Sequence, residues 1–230
     1  MSLIAAFFDV DGTLIKGNAI QHYLYFAQQN RLPSSRWRVA VPIICKLPCY
    51  LLIDKLNRGL FNHVFYREYR NMSVRHVDQN KQKYFSEKLV HSIFPEAQAR
   101  INFHKQKGHK IIFVSGALDF IVEPLANFLG ADMVLATHLK IEGGCYTGTI
   151  TNSNLIGQKK AAAIEDIARI LEINLCNSFA YGDSVSDIPM LNTVFNPVAI
   201  NPDYFLLRMA KKSGWSINYW KLSGGTALIN

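Results

Sequence analysis

Two carboxylates stand two residues apart where an apolar run meets a glycine and a threonine, in Phe7-Phe8-Asp9-Val10-Asp11-Gly12-Thr13. Leu3 to Phe8 has the short apolar make-up of a buried strand, and Gly12 marks the turn that ends it. Residues i and i+2 of a strand share a face, so Asp9 and Asp11 are expected to converge at the strand's C-terminal end. Like charges held together raise one another's pKa unless a cation intervenes. The pair therefore predicts a hard, oxygen-liganded divalent ion such as Mg2+. One carboxylate is then free to attack an electrophile and the other to move a proton.

Three further groups carry complementary chemistry. Ile111 to Val114 is a second β-branched run, and it ends in Ser115 and Gly116. The Ser115 hydroxyl and the Gly116 N–H are candidate donors to phosphate oxygens. Ser178 to Asp187 sets Asp183 and Asp187 four residues apart after another strand-like run; taken alone, Asp183 reads equally as a helix N-cap. Lys159 and Lys160 open an expected helix, Gly157 to Leu171, whose Ala163, Ile164, Ile167, Ala168 and Leu171 recur at helical spacing. Positive charge is unfavourable at a helix start, which points to a binding role for one of the two lysines.

In this order the motifs resemble those of the haloacid dehalogenase-like hydrolases. Asp9-x-Asp11-x-Thr13 fits that family's first motif, Ser115-Gly116 the second, a lysine the third, and Gly182-Asp183-x-x-x-Asp187 the fourth. The resemblance spans roughly residues 4 to 200 and is strongest to the phosphoserine phosphatase-like branch. There the lysine precedes an aliphatic residue by four positions, and Ile164 then selects Lys160. The resemblance implies a Mg2+-dependent phosphatase acting through an aspartyl-phosphate. Asp9 would be the nucleophile, while Asp11 would protonate the leaving alcohol and then activate water. Thr13, Ser115, Gly116 and Lys160 would hold the phosphoryl oxygens. Asp9, the Asp11 carbonyl and Asp183 would hold the metal, with Asp187 in support. Asp11 separates the chain from the dehalogenase and ATPase branches, which lack this acid/base. One position departs from the branch: a glutamate that holds the substrate's ammonium group is matched here by Asn18. An uncharged amide disfavours free phosphoserine and favours an uncharged or anionic leaving group, a glycerol or lipid alcohol included. Arg67 or Arg70 is a candidate contact for a carboxylate or phosphate of the substrate, beside Asn18.

These residues need a scaffold. The apolar runs near 3–9, 111–115, 133–136, 178–182 and 197–200 alternate mostly with helical stretches, which predicts an α/β fold with a Rossmann-like, doubly wound parallel sheet. The candidate ligands fall at strand C-termini, where such sheets place their sites. Leu139 to Thr151, around Gly143-Gly144, reads as a β-hairpin. The tail from Asn201 reads as a helix and a last strand around Trp215 to Trp220. Residues 16–80 read as a small α-helical cap domain between core segments 1–15 and 81–230. Ile20, Tyr23, Leu24 and Ala27 share one face of its first helix, breaks are expected near Pro33, Pro42 and Pro48, and a further helix runs from Leu56 to Tyr69. Such a cap would exclude water and recognise the leaving group.

Charge divides the same way. Residues 16–76 hold ten Lys or Arg against Asp54 and Glu68, an excess of eight that equals the net charge of +8 for the whole chain. A basic lid steers anions, which suits a small phosphorylated substrate, and it equally suits peripheral contact with an anionic membrane. Trp37 to Leu56 adds apolar residues, but Lys46, Pro42 and Pro48 argue against a membrane span. No nucleic-acid reader motif accompanies the charge, so nucleic acid is not expected as a partner. The apolar start is cut by Asp9 before it could serve as a signal peptide, and Cys45, Cys49, Cys145 and Cys176 lack zinc-type spacing. A cytoplasmic location is expected, with a peripheral membrane location as the alternative. The histidines are scattered and none is assigned a catalytic role. Three readings stand beside one another: a small-molecule phosphatase, a phosphatase or phosphotransferase acting on lipid head groups at a membrane, and a non-catalytic anion- or membrane-binding protein. Oligomeric state is not encoded in any of these features.

Overall fold

Four consecutive apolar residues form the central strand of the computed structural model, which describes residues 2–29, 37–151 and 154–222; the break expected at Pro33 lies outside them. The chain runs through β1 (Ala5–Phe8), α1 (Ala19–Gln28), α2 (Trp37–Leu56), α3 (Arg58–Phe65), α4 (Val74–Tyr84) and the short α5 (Val90–Ser92). It continues through α6 (Pro95–Gln106), β2 (Lys110–Leu118), α7 (Asp119–Leu129), β3 (Met133–Thr137), β4 (Leu139–Glu142) and β5 (Cys145–Ile150). The last part holds α8 (Gln158–Ile170), β6 (Phe179–Gly182), α9 (Ile188–Leu191), β7 (Asn196–Ile200), α10 (Tyr204–Ser213) and β8 (Ser216–Asn218).

β1 lies between β2 and β6 in a six-stranded parallel sheet of order β3-β2-β1-β6-β7-β8. Its side chains alternate between two separate cores, as the two-residue period of a strand requires. Ala6 and Phe8 join Ile101, Phe113, Phe120 and Ile121 on one face, under α6 and α7. Ala5 and Phe7 join Val114, Ile164, Met190 and Leu206 on the other, under α8, α9 and α10. Burial on both faces explains why the strands read as unbroken apolar runs. The expected hairpin is present as the antiparallel pair β4–β5.

The stretch after β1 is helical, with two local differences from expectation. α2 runs unbroken through Pro42 and Pro48. Each proline removes a bond to the carbonyl four residues earlier, on Arg38 and Ile44. Both of those residues are exposed, so water can take the donor's place. The helix expected from Leu56 to Tyr69 is divided: Asn57 caps a new helix by accepting the Leu60 N–H at 2.9 Å, and α3 gives way to a 3-10 turn at Tyr66–Tyr69. Position 80 falls inside α4, which passes through a π-helical stretch (Phe85–Leu89) into α5.

Aromatic edges fasten these helices to the sheet. Tyr23 meets Phe65 at 5.8 Å and Tyr69 at 5.1 Å between ring centroids, and both Phe26 and Tyr69 reach Phe120 of α7. The β4–β5 hairpin adds main-chain bonds: Asn71 N–H to the Tyr146 carbonyl, Tyr146 N–H to the Met72 carbonyl and Val74 N–H to the Gly144 carbonyl. Among the described residues no helix is long and apolar enough to cross a membrane.

Candidate active site

β1 stops at Phe8. The Asp9 N–H still donates to the Tyr181 carbonyl of β6 at 2.9 Å, but the chain then coils so that the N–H groups of Leu14 and Ile15 both donate to the Val10 carbonyl. Gly12 takes φ +90° in this turn, and a Cβ there would collide with the Asp183 carboxylate. Because the strand ends before Asp11, the same-face argument does not reach it. Carboxylate oxygens of Asp9, Asp183 and Asp187 lie within 4.8 Å of one another. The Asp11 side chain turns elsewhere: its Oδ1 lies 2.9 Å from His22 Nε2.

Lys160 sits in the first turn of α8 and is 3 % exposed. Its Nζ donates to Asp9 Oδ1 at 2.5 Å and to Asp187 Oδ1 at 2.7 Å. Lys159 is exposed, so the choice between the two lysines falls to Lys160. Asp187 Oδ2 accepts the N–H groups of Asp183 (3.2 Å) and Ser184 (3.1 Å) and the Ser184 hydroxyl (3.0 Å), which closes the loop around its own backbone. Asp183 accepts the Thr13 hydroxyl at 3.3 Å.

The electrostatics follow from this wiring. Burial pushes the Asp9 carboxyl up to about 6, against the opposing charge of Lys160 and with Asp187 adding to the rise. Burial, then Asp187 and Asp9, push Asp183 well above the usual carboxylate range. Burial also acts on Asp187, but Lys160 outweighs it and holds that carboxyl low. At Asp11 burial acts upward, but the charge and hydrogen bond of His22, with Arg58 and Lys160 adding, leave the pKa lowered. Lys160 is held above its ordinary value by Asp187 and Asp9 despite its burial. Three clustered carboxylates thus face one lysine. The all-oxygen donor set and the unspent negative charge fit a hard divalent cation such as Mg2+.

A cleft of about 200 Å³ opens over these groups, lined by Asp9, Asp11, Ser115, Gly116, Lys160, Asp183 and Asp187 from the core and by Asn18, Tyr50, Arg58, Asn62 and Tyr66 from the helical stretch. Ser115 is 1 % exposed, and its hydroxyl oxygen accepts the Ala117 N–H at 3.1 Å. The Gly116 carbonyl accepts the Tyr66 hydroxyl at 2.6 Å and the Asn62 amide at 3.1 Å, which binds α3 to the end of the sheet. Asn18 reaches the cleft while its side-chain oxygen caps α1 by accepting the Gln21 N–H.

Arg67 and Arg70 are not brought to the cleft. They lie on another surface beside Lys140, Glu142 and Thr147 of the hairpin, because the 3-10 turn after Phe65 redirects the chain. The cleft arginine is Arg58, 3.9 Å from Asp54. Burial acts to lower its pKa, but Asp54, Asp183, Asp9 and Asp11 raise it above the ordinary value. A single helix from Leu56 to Tyr69 does not single out Arg58; Asn57 as a cap, with Asp54 and Arg58 at i and i+4, carries the signal. His22 was missed for a similar reason. The apolar face assigned to α1 left it aside, yet it is 1 % exposed, with Nε2 at Asp11 and Nδ1 2.5 Å from the Tyr84 hydroxyl.

The profile of the haloacid dehalogenase-like hydrolases matches residues 6–192. Over 234 aligned residues the chain is 27% identical to a phosphoserine phosphatase of Mycobacterium tuberculosis, which covers 98% of this chain and 73% of that protein. It is 39% identical over 126 residues to the inhibition of morphological differentiation protein of Streptomyces azureus, covering 54% of this chain and 45% of the relative. The chain thus spans less than half the length of that relative. Among solved structures it is similar to a protein of unknown function from Bordetella pertussis, with TM-score 0.79, 21% identity and coverage of 95% of this chain and 99% of that one. It is also similar to a phosphoserine phosphatase in a phospho-aspartyl intermediate analogue form, with TM-score 0.71, 22% identity and coverage of 97% and 96%. At these identities the structural likeness establishes the fold.

Proposed function

The chain belongs to the haloacid dehalogenase-like hydrolases, and on that premise we propose that it is a Mg2+-dependent phosphatase that hydrolyses a small phosphate monoester through an aspartyl-phosphate on Asp9. The observation that carries this reading is the buried cluster of Asp9, Asp183 and Asp187 around the Lys160 ammonium, with Asp11 held apart on His22.

In the first half-reaction an Asp9 oxygen forms a bond to phosphorus as the ester P–O bond breaks, and a proton carried on the hydrogen-bonded Asp11–His22 pair passes through Asp11 to the departing alkoxide. In the second, Asp11 takes a proton from water, the water oxygen attacks phosphorus, and the bond to Asp9 breaks to release inorganic phosphate. Thr13, Ser115, the Gly116 N–H and Lys160 stabilise the transferring oxygens. Asp9, Asp183 and the Asp11 carbonyl would hold Mg2+, with Asp187 in support; when bound, the ion supplies neutralisation of charge on the phosphoryl group. Arg58 and Asn18 face the leaving group from the cap, an anion-reading guanidinium beside an uncharged amide. That pair suits an uncharged or anionic alcohol better than an ammonium-bearing one. The unpaired Cys45, Cys49, Cys145 and Cys176 suit a reducing, cytoplasmic setting.

The test is Mg2+-dependent phosphate release across sugar, amino-acid, nucleotide and glycerol phosphates, with Asp9→Asn as the control. Release that needs both Mg2+ and Asp9 is the expected result. Release undiminished in Asp9→Asn would overturn the mechanism.

A further inference from the structure

α2 turns one side inward and leaves the other bare. Ile43 and Tyr50 are buried against the cap, at 2 % and 5 % exposure. On the opposite side Trp37, Val41, Ile44, Pro48 and Leu52 recur every three or four residues, which forms a single stripe along a 20-residue helix about 30 Å long. Ile44 is 58 % exposed, Leu52 59 % and the terminal Leu56 77 %. Isolated exposed apolar residues are ordinary, but a continuous row of this length marks a surface that meets something.

Charge identifies what it meets. The ionic side chains exposed on α2 are all positive: Lys46 is paired with Glu68 at 2.8 Å, which leaves Arg38 and Lys55 as the charges beside the stripe, while the one acid of α2, Asp54, lines the cleft. A second copy of this chain would bring the same positive charge against itself. An anionic lipid surface offers apolar depth for the stripe and negative charge for Arg38 and Lys55. Trp37, with the Arg38 guanidinium 5.7 Å over its ring, is the residue type that settles at the head-group level. We infer that the outer face of α2 docks the protein on an anionic bilayer. Leu51, on the flank of the stripe, also lines the cleft, so docking sets the cleft's mouth beside the lipid head groups. This docking goes beyond the phosphatase reading and does not depend on catalysis.

Co-sedimentation tests it with vesicles of phosphatidylcholine alone and of phosphatidylcholine mixed with phosphatidylglycerol, at about 0.15 M salt. The wild type is expected to pellet with the anionic vesicles, to stay in solution with the neutral ones, and to be released as salt rises. Ile44→Glu combined with Leu52→Glu is expected to weaken binding by at least about tenfold, with the circular dichroism spectrum and hydrolysis of p-nitrophenyl phosphate unchanged. If that double variant loses its spectrum, Arg38→Gln with Lys55→Gln is the second probe, and a drop in anionic-vesicle binding is expected there too. Wild type that stays in the supernatant with anionic vesicles would overturn the inference, as would a folded Glu variant that pellets as the wild type does. A wild-type dimer that the Glu substitutions dissolve, without vesicle binding, would assign the face to a second copy instead. Phosphate release without vesicle binding sinks the docking alone, and vesicle binding without release sinks the phosphatase reading alone.

Discussion

His22 holds Asp11. The Nε2–Oδ1 distance is 2.9 Å, both groups are buried, and the far ring nitrogen is fixed by the Tyr84 hydroxyl from α4. The carboxylate assigned to move protons is therefore oriented by two helical segments outside the sheet. His22→Ala is expected to lower kcat by about 10- to 100-fold with KM little changed, since the loss is one of orientation. His22→Gln, which keeps a donor, should recover part of it. A change confined to KM would remove His22 from the acid/base chain.

Lys160 is the counter-charge of a buried acid cluster. Lys160→Met leaves Asp9 and Asp187 uncompensated and is expected to cost about 3 to 5 kcal/mol in urea unfolding without metal. Phosphatase activity should fall by about two to three orders of magnitude. Mg2+ should restore part of the stability of the variant, and a metal-independent loss would contradict the placement of the ion among these carboxylates.

Protons and the metal compete for Asp9. With its carboxyl pushed up to about 6, the group is largely protonated below that pH and must lose the proton to hold a cation. Apparent Mg2+ affinity is expected to rise with pH through about 6, by roughly tenfold per unit for the Asp9 proton, and Asp183, also held above the usual carboxylate range, extends the rise. Calorimetric titration at pH 5 and 7.5, in buffers of different ionisation heat, reads both the affinity and the protons released. An affinity flat across that interval would exclude Asp9 as a ligand.

His104 ties stability to pH from within the core. It is fully buried between Tyr181 and His109, and burial, with His109 and Arg100 adding, lowers its pKa to about 4. The unfolded chain takes up this proton near pH 6.5, so stability is lost as pH falls from about 6.5 to 4, by about 3 kcal/mol at most. The stability difference between wild type and His104→Gln should shrink by that order between pH 7.5 and 4. A constant difference would show that His104 titrates normally.

Arg58 separates the cleft from the rest of the basic charge. Arg58→Ala is expected to raise KM for an anionic phosphate ester by about 10- to 100-fold. Arg67→Ala and Arg70→Ala, at the hairpin surface, should leave KM within about twofold of wild type. The reverse pattern would return the substrate contact to the latter pair.

What could be read from the sequence was what is local. Asp9 and Asp183 follow the apolar runs that become β1 and β6, and Ser115 lies in the one that becomes β2, so their approach at the C-terminal end of the sheet follows from strand direction and burial on both faces. Lys160 was favoured over Lys159 by the resemblance, through the aliphatic Ile164 four positions on, and the structure buries Lys160 while leaving Lys159 exposed. The remainder depended on where helices end and how they pack. Asp11 lies beyond the last residue of β1, where the two-residue period no longer applies. The cap at Asn57 and the 3-10 turn at Tyr66–Tyr69 decide which arginine reaches the cleft. His22 meets Asp11 only because α1 folds back over the first turn, a contact that no spacing within α1 announces.

The bonds between Asn71–Val74 and the β4–β5 hairpin give the helical stretch after β1, the proposed cover of the cleft, a second root. A cover hinged on one strip of chain can swing as a door. This one is sewn to a second strip by three main-chain bonds, through Asn71, Tyr146 and Val74. To lift at that edge it must carry the hairpin along or give up bonds worth about 1 kcal/mol each.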